Sequence, residues 1–248
     1  MSLKIVHISD THGKHEQVKV PPCDILIHTG DIGGRTGTFE LTQFLVWFEK
    51  QPATKKIWIA GNHDICLDPK WPSNLKSQGR DIEALLARQH YSDAMSLIES
   101  YDVKYLVDKE HVYQGIKFYG SPYSPSFHRS NWVFNADRGQ EIRKIWSKIP
   151  SDVHVLMTHS PVYQILDLVE DKYRESQKED MNVGCQDLLE VIKKRLFNLK
   201  LVAGGHIHDQ YGVILGHVST NRRCLFSNGA VLNNDYKILV PNPLIITI

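Results

Sequence analysis

Five short segments of this chain carry carboxylate, imidazole and amide groups at spacings that suit a metal centre: Asp10-Thr11-His12, Gly30-Asp31, Gly61-Asn62-His63-Asp64, Thr158-His159 and Gly205-His206-Ile207-His208. Each follows a short apolar run that reads as a buried β-strand. The candidate ligands are Asp10, His12, Asp31, Asn62, His159, His206 and His208. Imidazole nitrogen mixed with carboxylate oxygen suits manganese, iron and zinc, whereas an all-oxygen set would favour magnesium or calcium. Two cations about 3.5–4 Å apart repel each other and need a shared ligand. Asp31 is the candidate bridge, because it is the lone carboxylate of its motif. Asn62 offers an amide oxygen that completes a shell without adding charge. His206 and His208 straddle Ile207, so on an extended segment they project to one side and each can reach a different metal. A metal pair of this kind lowers the pKa of a bound water to about 7, and the hydroxide attacks a phosphorus centre in line.

His63 directly follows Asn62 and is expected to face a substrate, protonating the leaving oxygen or stabilising the transition state. Asp64 is expected to hydrogen-bond His63 and fix its tautomer. Singly, each motif has a plainer reading: Asp-x-His as a cap, His63 as a satisfied loop histidine, His159-Ser160-Pro161 as a turn. Five in the same strand-then-loop context point to one site. The other histidines lack ligand-like spacing, and His7 and His28 lie inside strands, where core packing is the ordinary role. Residues 33–38 are glycine-rich but lack the spacing of a phosphate-binding Walker loop. No serine stands in the setting of a nucleophile with a dedicated base.

The elements that must position these groups follow from apolar periodicity. Strands are expected over 4–9, 24–29, 56–60, 105–107, 112–113, 116–119, 153–157, 199–203, 212–218, 223–227 and 244–248. Leu41, Phe44, Leu45 and Phe48 recur at helical spacing after Thr38, the expected N-cap. A helix or two over 81–99 sets Ile82, Leu85, Leu86, Met95 and Ile98 on its apolar side. Residues 139–148, and the segment through Leu188, Val191, Ile192 and Leu196, give further helices. Residues 69–79 read as a polar surface excursion, and 120–132 and the highly charged 167–182 as loops. Strand-then-helix repeats favour parallel pairing through crossovers, and the terminal hairpins add antiparallel strands. Two packed mixed sheets with helices outside accommodate both. All five motifs then fall beyond the carboxyl ends of strands, where ligands gather in such folds.

The length of 248 residues, without an evident linker or repeat, fits a single domain over 1–248. The formal net charge of +1 gives no electrostatic footprint for bulk nucleic-acid or membrane binding. No apolar stretch approaches the roughly 20 residues of a membrane span. Met1-Ser2-Leu3-Lys4 runs straight into a strand without a secretory apolar region. Cys23, Cys66, Cys185 and Cys224 form no C-x-x-C pair. A cytoplasmic protein with reduced thiols is the expectation.

In this order the motifs D-x-H, G-D, G-N-H-[DE], H and G-H-x-H resemble those of the calcineurin-like metallophosphoesterase superfamily, over residues 5 to about 228. The resemblance implies an α/β four-layer sandwich of two mixed β-sheets flanked by helices. It implies one metal on Asp10, His12, Asp31 and His208, a second on Asp31, Asn62, His159 and His206, and His63 as a catalytic non-ligand. The segments Gly120-Ser121-Pro122-Tyr123-Ser124-Pro125, Trp132-Val133-Phe134-Asn135, Lys148-Ile149-Pro150, Asp209-Gln210-Tyr211-Gly212 and Pro241-Asn242-Pro243-Leu244-Ile245 are similar to the metallophosphoesterase-domain-containing, class III phosphodiesterase-like group. That likeness implies action on phosphodiesters, cyclic nucleotides among them, with manganese favoured and iron or zinc as alternatives. The Gly-Pro of that group after the histidine reads Ser160-Pro161 here.

The leading expectation is a dinuclear-metal phosphodiesterase acting on a small phosphate ester. A phosphomonoesterase or protein phosphatase is the nearest rival, and Arg35, Arg129 or Arg138 near the metals would favour its dianionic substrate. The balanced charge argues against a nuclease. A non-catalytic binding member of the fold is the rival from another class. Loops 120–132 and 167–182 are expected to set substrate choice.

Overall fold

The computed structural model describes residues 2–127, 132–170, 181–219, 221–240 and 242–248. One sheet runs from β1 (Lys4–Ile8) through β2 (Cys23–Thr29) and β3 (Ala53–Ile59) to the short β4 (Lys104–Tyr105), all parallel, with β13 (Leu244–Thr247) antiparallel against β1. The other runs from β5 (Lys109–Tyr113) through β6 (Ile116–Ser121), β9 (Val155–Thr158), β10 (Leu201–Gly204) and β12 (Arg222–Asn228) to β11 (Gly212–Ser219). Its four inner strands are parallel, and the outermost strand on each side is the antiparallel arm of a hairpin. Two short strands, β7 (Ser124–Pro125) and β8 (Asn135–Ala136), pair by themselves.

Period-two alternation decides which faces meet. Ile5, Ile25, Ile27, Ile57 and Ile59 of the first sheet form one buried cluster with Phe118, Val155, Met157, Leu201 and Ala203 of the second. The alternate residues Val6, Ile8, Leu26 and Trp58 belong to a second cluster with Leu41, Phe44, Leu45 and Phe48 of α1 (Thr38–Glu49). The same cluster takes in Leu156 and Val202 with Ile142, Ile145 and Trp146 of α4 (Gln140–Trp146), and Leu188 and Ile192 of α5 (Gln186–Arg195). Helix, sheet, sheet, helix is therefore the layer order. Each fully buried large apolar side chain contributes about 1.5–3 kcal/mol relative to exposure, so these layers hold the strand ends rigid beneath the site. Among the described residues no helix is long and apolar enough to cross a membrane.

Several elements depart from expectation. Residues 69–79 hold a helix, α2 (Trp71–Ser77), with Trp71 and Leu75 buried. Pro72 sits in its first turn, where a missing N–H breaks no bond. The one long helix α3 (Asp81–Glu99) buries Ala84, Ala94 and Ile98, and leaves Ile82 (76%), Leu85 (69%) and Leu86 (53%) exposed. Its contact face is thus carried partly by small alanines. The N-cap of α1 is Gly37, not Thr38; the Glu40 carboxylate accepts the Gly37 N–H at 3.0 Å. β3 begins at Ala53 rather than at 56. Residues 128–131 and 171–180, with Arg129 among them, and Pro241 lie outside the described residues.

Candidate metal centre

The loops leaving β1, β2, β3, β9 and β10 carry the five motifs and are tied together through the backbone. Asp10 N–H donates to Gly30 O (2.9 Å), His12 N–H to Asp31 O (3.1 Å) and Gly205 N–H to His159 O (3.0 Å). Four of the candidate ligands stand in left-handed backbone: Asp10 (φ +53°), His12 (+40°), Asp31 (+56°) and His206 (+70°). For a residue with a Cβ this conformation costs on the order of 1 kcal/mol or more. Two neighbouring glycines are required by close approach. A Cβ on Gly61 would lie 2.3 Å from Asp31 Oδ1, and one on Gly205 would lie 2.2 Å from Asp10 Oδ2.

All seven expected ligands come together. His12 Nε2 approaches His208 Nε2 at 3.2 Å, and Asp10 Oδ1 lies 3.6 Å from His208 Nε2. Asp31 Oδ2 lies 3.4 Å from His159 Nε2, 3.8 Å from His12 Nε2 and 4.0 Å from His63 Nε2. His159 Nε2 meets Asn62 Oδ1 at 2.8 Å. Asp10, His12 and His208 make one cluster and Asp31, His159 and His206 another, and between them His12 and Asp31 also group with His63. His206 and His208 divide between the first two, though not along an extended segment. The chain turns at His206 and enters a 3-10 turn over His208–Gln210.

Backbone carbonyls orient the imidazoles. Nδ1–H of His12, His159 and His208 donates to Gly33 O (3.0 Å), Thr29 O (2.9 Å) and Asn233 O (3.1 Å). Such a partner fixes the ring and directs Nε2 inward, as in many metal sites. Asp10 Oδ2 accepts the His206 N–H at 2.9 Å, but Asp10 Oδ1 is buried with no hydrogen-bond partner. A buried carboxylate oxygen without a partner is costly and calls for a cation. Protons partly fill that role without metal. Burial opposes charge on His159, yet Asp31 outweighs it and lifts His159 to about 9. Against burial, Asp10 likewise raises His208. In return, and also against burial, His208 and His159 hold the Asp10 and Asp31 carboxyls below their ordinary range. Burial lowers His12 to about 4 and His206 to about 3, so both are neutral donors to a metal near pH 7. A mixed nitrogen and oxygen donor set around a buried carboxylate oxygen that accepts no hydrogen bond fits divalent cations.

A family model described as calcineurin-like phosphoesterase matches residues 3–210. The chain belongs to that family. Metallophosphoesterase domain-containing protein 1 of Homo sapiens is 32% identical over 246 residues, which is 98% of this chain and 70% of that protein, and its Mus musculus counterpart matches to the same extent. UPF0046 protein K07C11.7 of Caenorhabditis elegans is 31% identical over 236 residues, 95% of this chain and 72% of its own length. Calcineurin-like phosphoesterases are metal-dependent and use a dinuclear divalent centre, and the clustered Asp and His groups supply candidate ligands for it.

In this phosphoesterase Asp64 does not bond His63, contrary to expectation. Its Oδ2 accepts N–H groups of Asp31 (2.9 Å) and Gly61 (2.8 Å), and its Oδ1 accepts Ile32 N–H (3.1 Å) and Thr36 Oγ1–H (2.6 Å). Four donors use the lone pairs that His63 would have needed. The His63 Nδ1 contacts Gly34 O instead. Burial and then the Asp31 charge push the Asp64 carboxyl up to about 6, against the Thr36 and Gly61 hydrogen bonds. Asp64 thus splices the Asp31 and Asn62 loops.

Aromatic rings flank the ligands. Trp132 lies against His63 with centroids 4.2 Å apart, Tyr236 sits edge-on to His12 (4.9 Å) and His208 (5.4 Å), and Phe127 faces His206 at 4.9 Å. Trp132 and Phe127 belong to the aromatic loop expected to shape the substrate site. Tyr236 and the Asn233 carbonyl come from an Asn-rich turn with no chemical pattern to mark it. The Arg35 guanidinium stands 5.9 Å from the Trp132 ring, whereas Arg138 donates to Gly184 O (2.9 Å) and Val183 O (2.6 Å) and serves as a backbone tie.

Proposed function

We propose that this phosphoesterase hydrolyses small phosphodiesters, cyclic nucleotides included, with manganese favoured over iron or zinc, and that it works in the cytoplasm as one domain over residues 1–248. The observation that supports diester over monoester is the rim. Trp132, Tyr236 and Phe127 line it and Arg138 is tied to carbonyls, whereas Arg35, over the Trp132 ring, is the one of these features that favours a monoester. A diester carries one negative charge and two organic groups, which aromatic walls suit. A dianionic monoester calls for more cations.

Asp10, His12, Asp31 and His208 would hold one cation, and Asp31, Asn62, His159 and His206 the other. Asp31 Oδ2, within 4 Å of imidazoles in both sets, suits the shared position. When bound, such a pair supplies a nucleophile from water near neutral pH and offsets charge on the phosphoryl oxygens. His63 has its Nε2 turned inward, 4.0 Å from Asp31, and its ring braced by Trp132 and the Gly34 carbonyl. That geometry suits delivery of a proton from Nε2 to the leaving oxygen. The test is hydrolysis of bis(p-nitrophenyl) phosphate beside p-nitrophenyl phosphate by metal-stripped protein, with and without manganese. Metal-restored turnover that favours the diester is the expected result. Preference for the monoester overturns the diester reading.

A further inference from the structure

Away from the metal ligands, a cavity of about 410 Å³ opens between residues 35–37, the 3-10 turn Ile65–Leu67, α2 and α3. Its wall joins an apolar floor, with Trp71 and Leu75 buried, to two arginines, Arg80 and Arg35, the latter with its guanidinium also 5.9 Å from the Trp132 ring. Glu83 pairs with Arg80 (Nε to Oε1, 3.3 Å), so two arginines against one glutamate leave an excess positive charge at the rim. The volume lies within the roughly 300–1,000 Å³ of small-molecule sites. An apolar floor with a cationic rim selects apolar molecules that bear an anionic group. We propose that this cavity is a second ligand site, one that takes an apolar group carrying a negatively charged substituent.

The site would be separate from the metal centre yet share its supports. None of the seven candidate metal ligands lines it. Thr36, in its wall, donates to Asp64 and receives no other role in the centre, and Thr36 N–H donates to His63 O at 2.9 Å. Cys66, also in the wall, donates its N–H to Thr36 O at 3.2 Å. Arg35 reaches from the cavity to Trp132, the ring that braces His63. A ligand held by Arg35 therefore touches the loop that follows Asp31 and the turn that follows His63.

The test uses the full chain stripped of metal and kept in chelator, so that the metal centre offers no metal ion to a phosphate, and the cavity variants Ala87→Trp and Leu86→Glu separate binding there from binding to the protonated imidazoles of the centre. The probe is 1-naphthyl phosphate, titrated by calorimetry, with neutral 1-naphthol beside it. Binding of the phosphate is expected, about tenfold or more tighter than the naphthol, as loss of one charge-assisted contact implies. Ala87→Trp, which fills the cavity, should abolish it. Leu86→Glu places a like charge at an exposed position of the rim and should weaken it about tenfold without disturbing the fold. Unchanged affinity in both variants overturns the proposal. So does absence of binding to the metal-free wild type at millimolar probe, or binding that appears only when manganese is restored. The outcome is independent of whether the protein turns over diesters or monoesters.

Discussion

Asp64→Ala should destabilise the metal-free fold by about 3 kcal/mol and leave the limbs of the pH–rate profile where they are. Asp64 accepts four hydrogen bonds from buried or half-buried donors on two loops. A buried donor left unsatisfied costs about 1–3 kcal/mol, so four cost about 6 kcal/mol at about 1.5 kcal/mol each. Removing the charge returns part of this. The carboxyl is raised from 3.8 to about 6, and at pH 7 that shift corresponds to about 3 kcal/mol of destabilisation already present in the native state. The net of about 3 kcal/mol corresponds to a fall of about 6–12 °C in melting temperature for a chain of this size. Urea unfolding in chelator at pH 7 measures the first part, and the pH–rate profile of the metal-loaded variant measures the second. Thr36→Val, which removes one of the four donors, should cost about 1 kcal/mol. A loss below 1 kcal/mol in Asp64→Ala, together with a shifted acidic or basic limb in its rate profile, is the pattern of a carboxylate acting on His63. It would refute the splice argued from these hydrogen bonds.

Gly205→Ala would drive a Cβ to 2.1 Å from Ser9 Oγ and 2.2 Å from Asp10 Oδ2; metal affinity, read by titration with manganese, should fall about tenfold or more, and an unchanged affinity contradicts the close approach. His63→Ala should keep two metals per chain by elemental analysis and lose about 100-fold in turnover, the size of a general-acid contribution; loss of a metal would make His63 a ligand. His7 and His28 are fully buried and lowered by that burial from 6.5 to about 3, so between these values the unfolded chain binds more protons than the native one. Stability is then full above pH 6.5 and falls as pH drops, by about 3 kcal/mol per histidine at about pH 4; urea midpoints in chelator should show this, and His28→Asn should flatten the slope. An undiminished slope in that variant places the acid sensitivity elsewhere.

The seven candidate ligands can be picked out of the sequence because each lies just beyond a strand end, and strand ends are local features. Ile5 to Ile8 already show the alternation that buries one face against the second sheet and the other against α1. What stayed hidden depends on partners far away in the chain. Asp64 looks like the natural companion of its neighbour His63, yet its acceptors are used by Asp31, Ile32 and Thr36, about thirty residues earlier. Tyr236 and Asn233 reach His208 from the loop after β12, the strand beside β10, where sequence marks only a turn. In α3 the large residues Ile82, Leu85 and Leu86 suggested the buried face, but helices packed closely leave room for Ala84 and Ala94 there instead.

Four of the candidate ligands break a local rule of backbone conformation, as do Asp108, Gln114, Phe134, Gln164, Leu166 and Tyr236 elsewhere among the described residues. Asp10, His12, Asp31 and His206 hold left-handed backbone without being glycine, and together cost about 4 kcal/mol at roughly 1 kcal/mol each. Asp10 adds a buried oxygen without a partner. Neither penalty can relax cheaply. The φ of Asp31 is held by its N–H to Asp64, and Asp10 is pinned through its N–H to Gly30 and through its carboxylate to His206. The inter-sheet isoleucines and the aromatic cluster of α1 supply the rigidity that sustains this strain. Cations placed among these donors would satisfy Asp10 Oδ1 and displace the protons that Asp31 and Asp10 now draw onto His159 and His208. Among the candidate ligands, then, strain and an unsatisfied oxygen stand on side chains that a cation would satisfy.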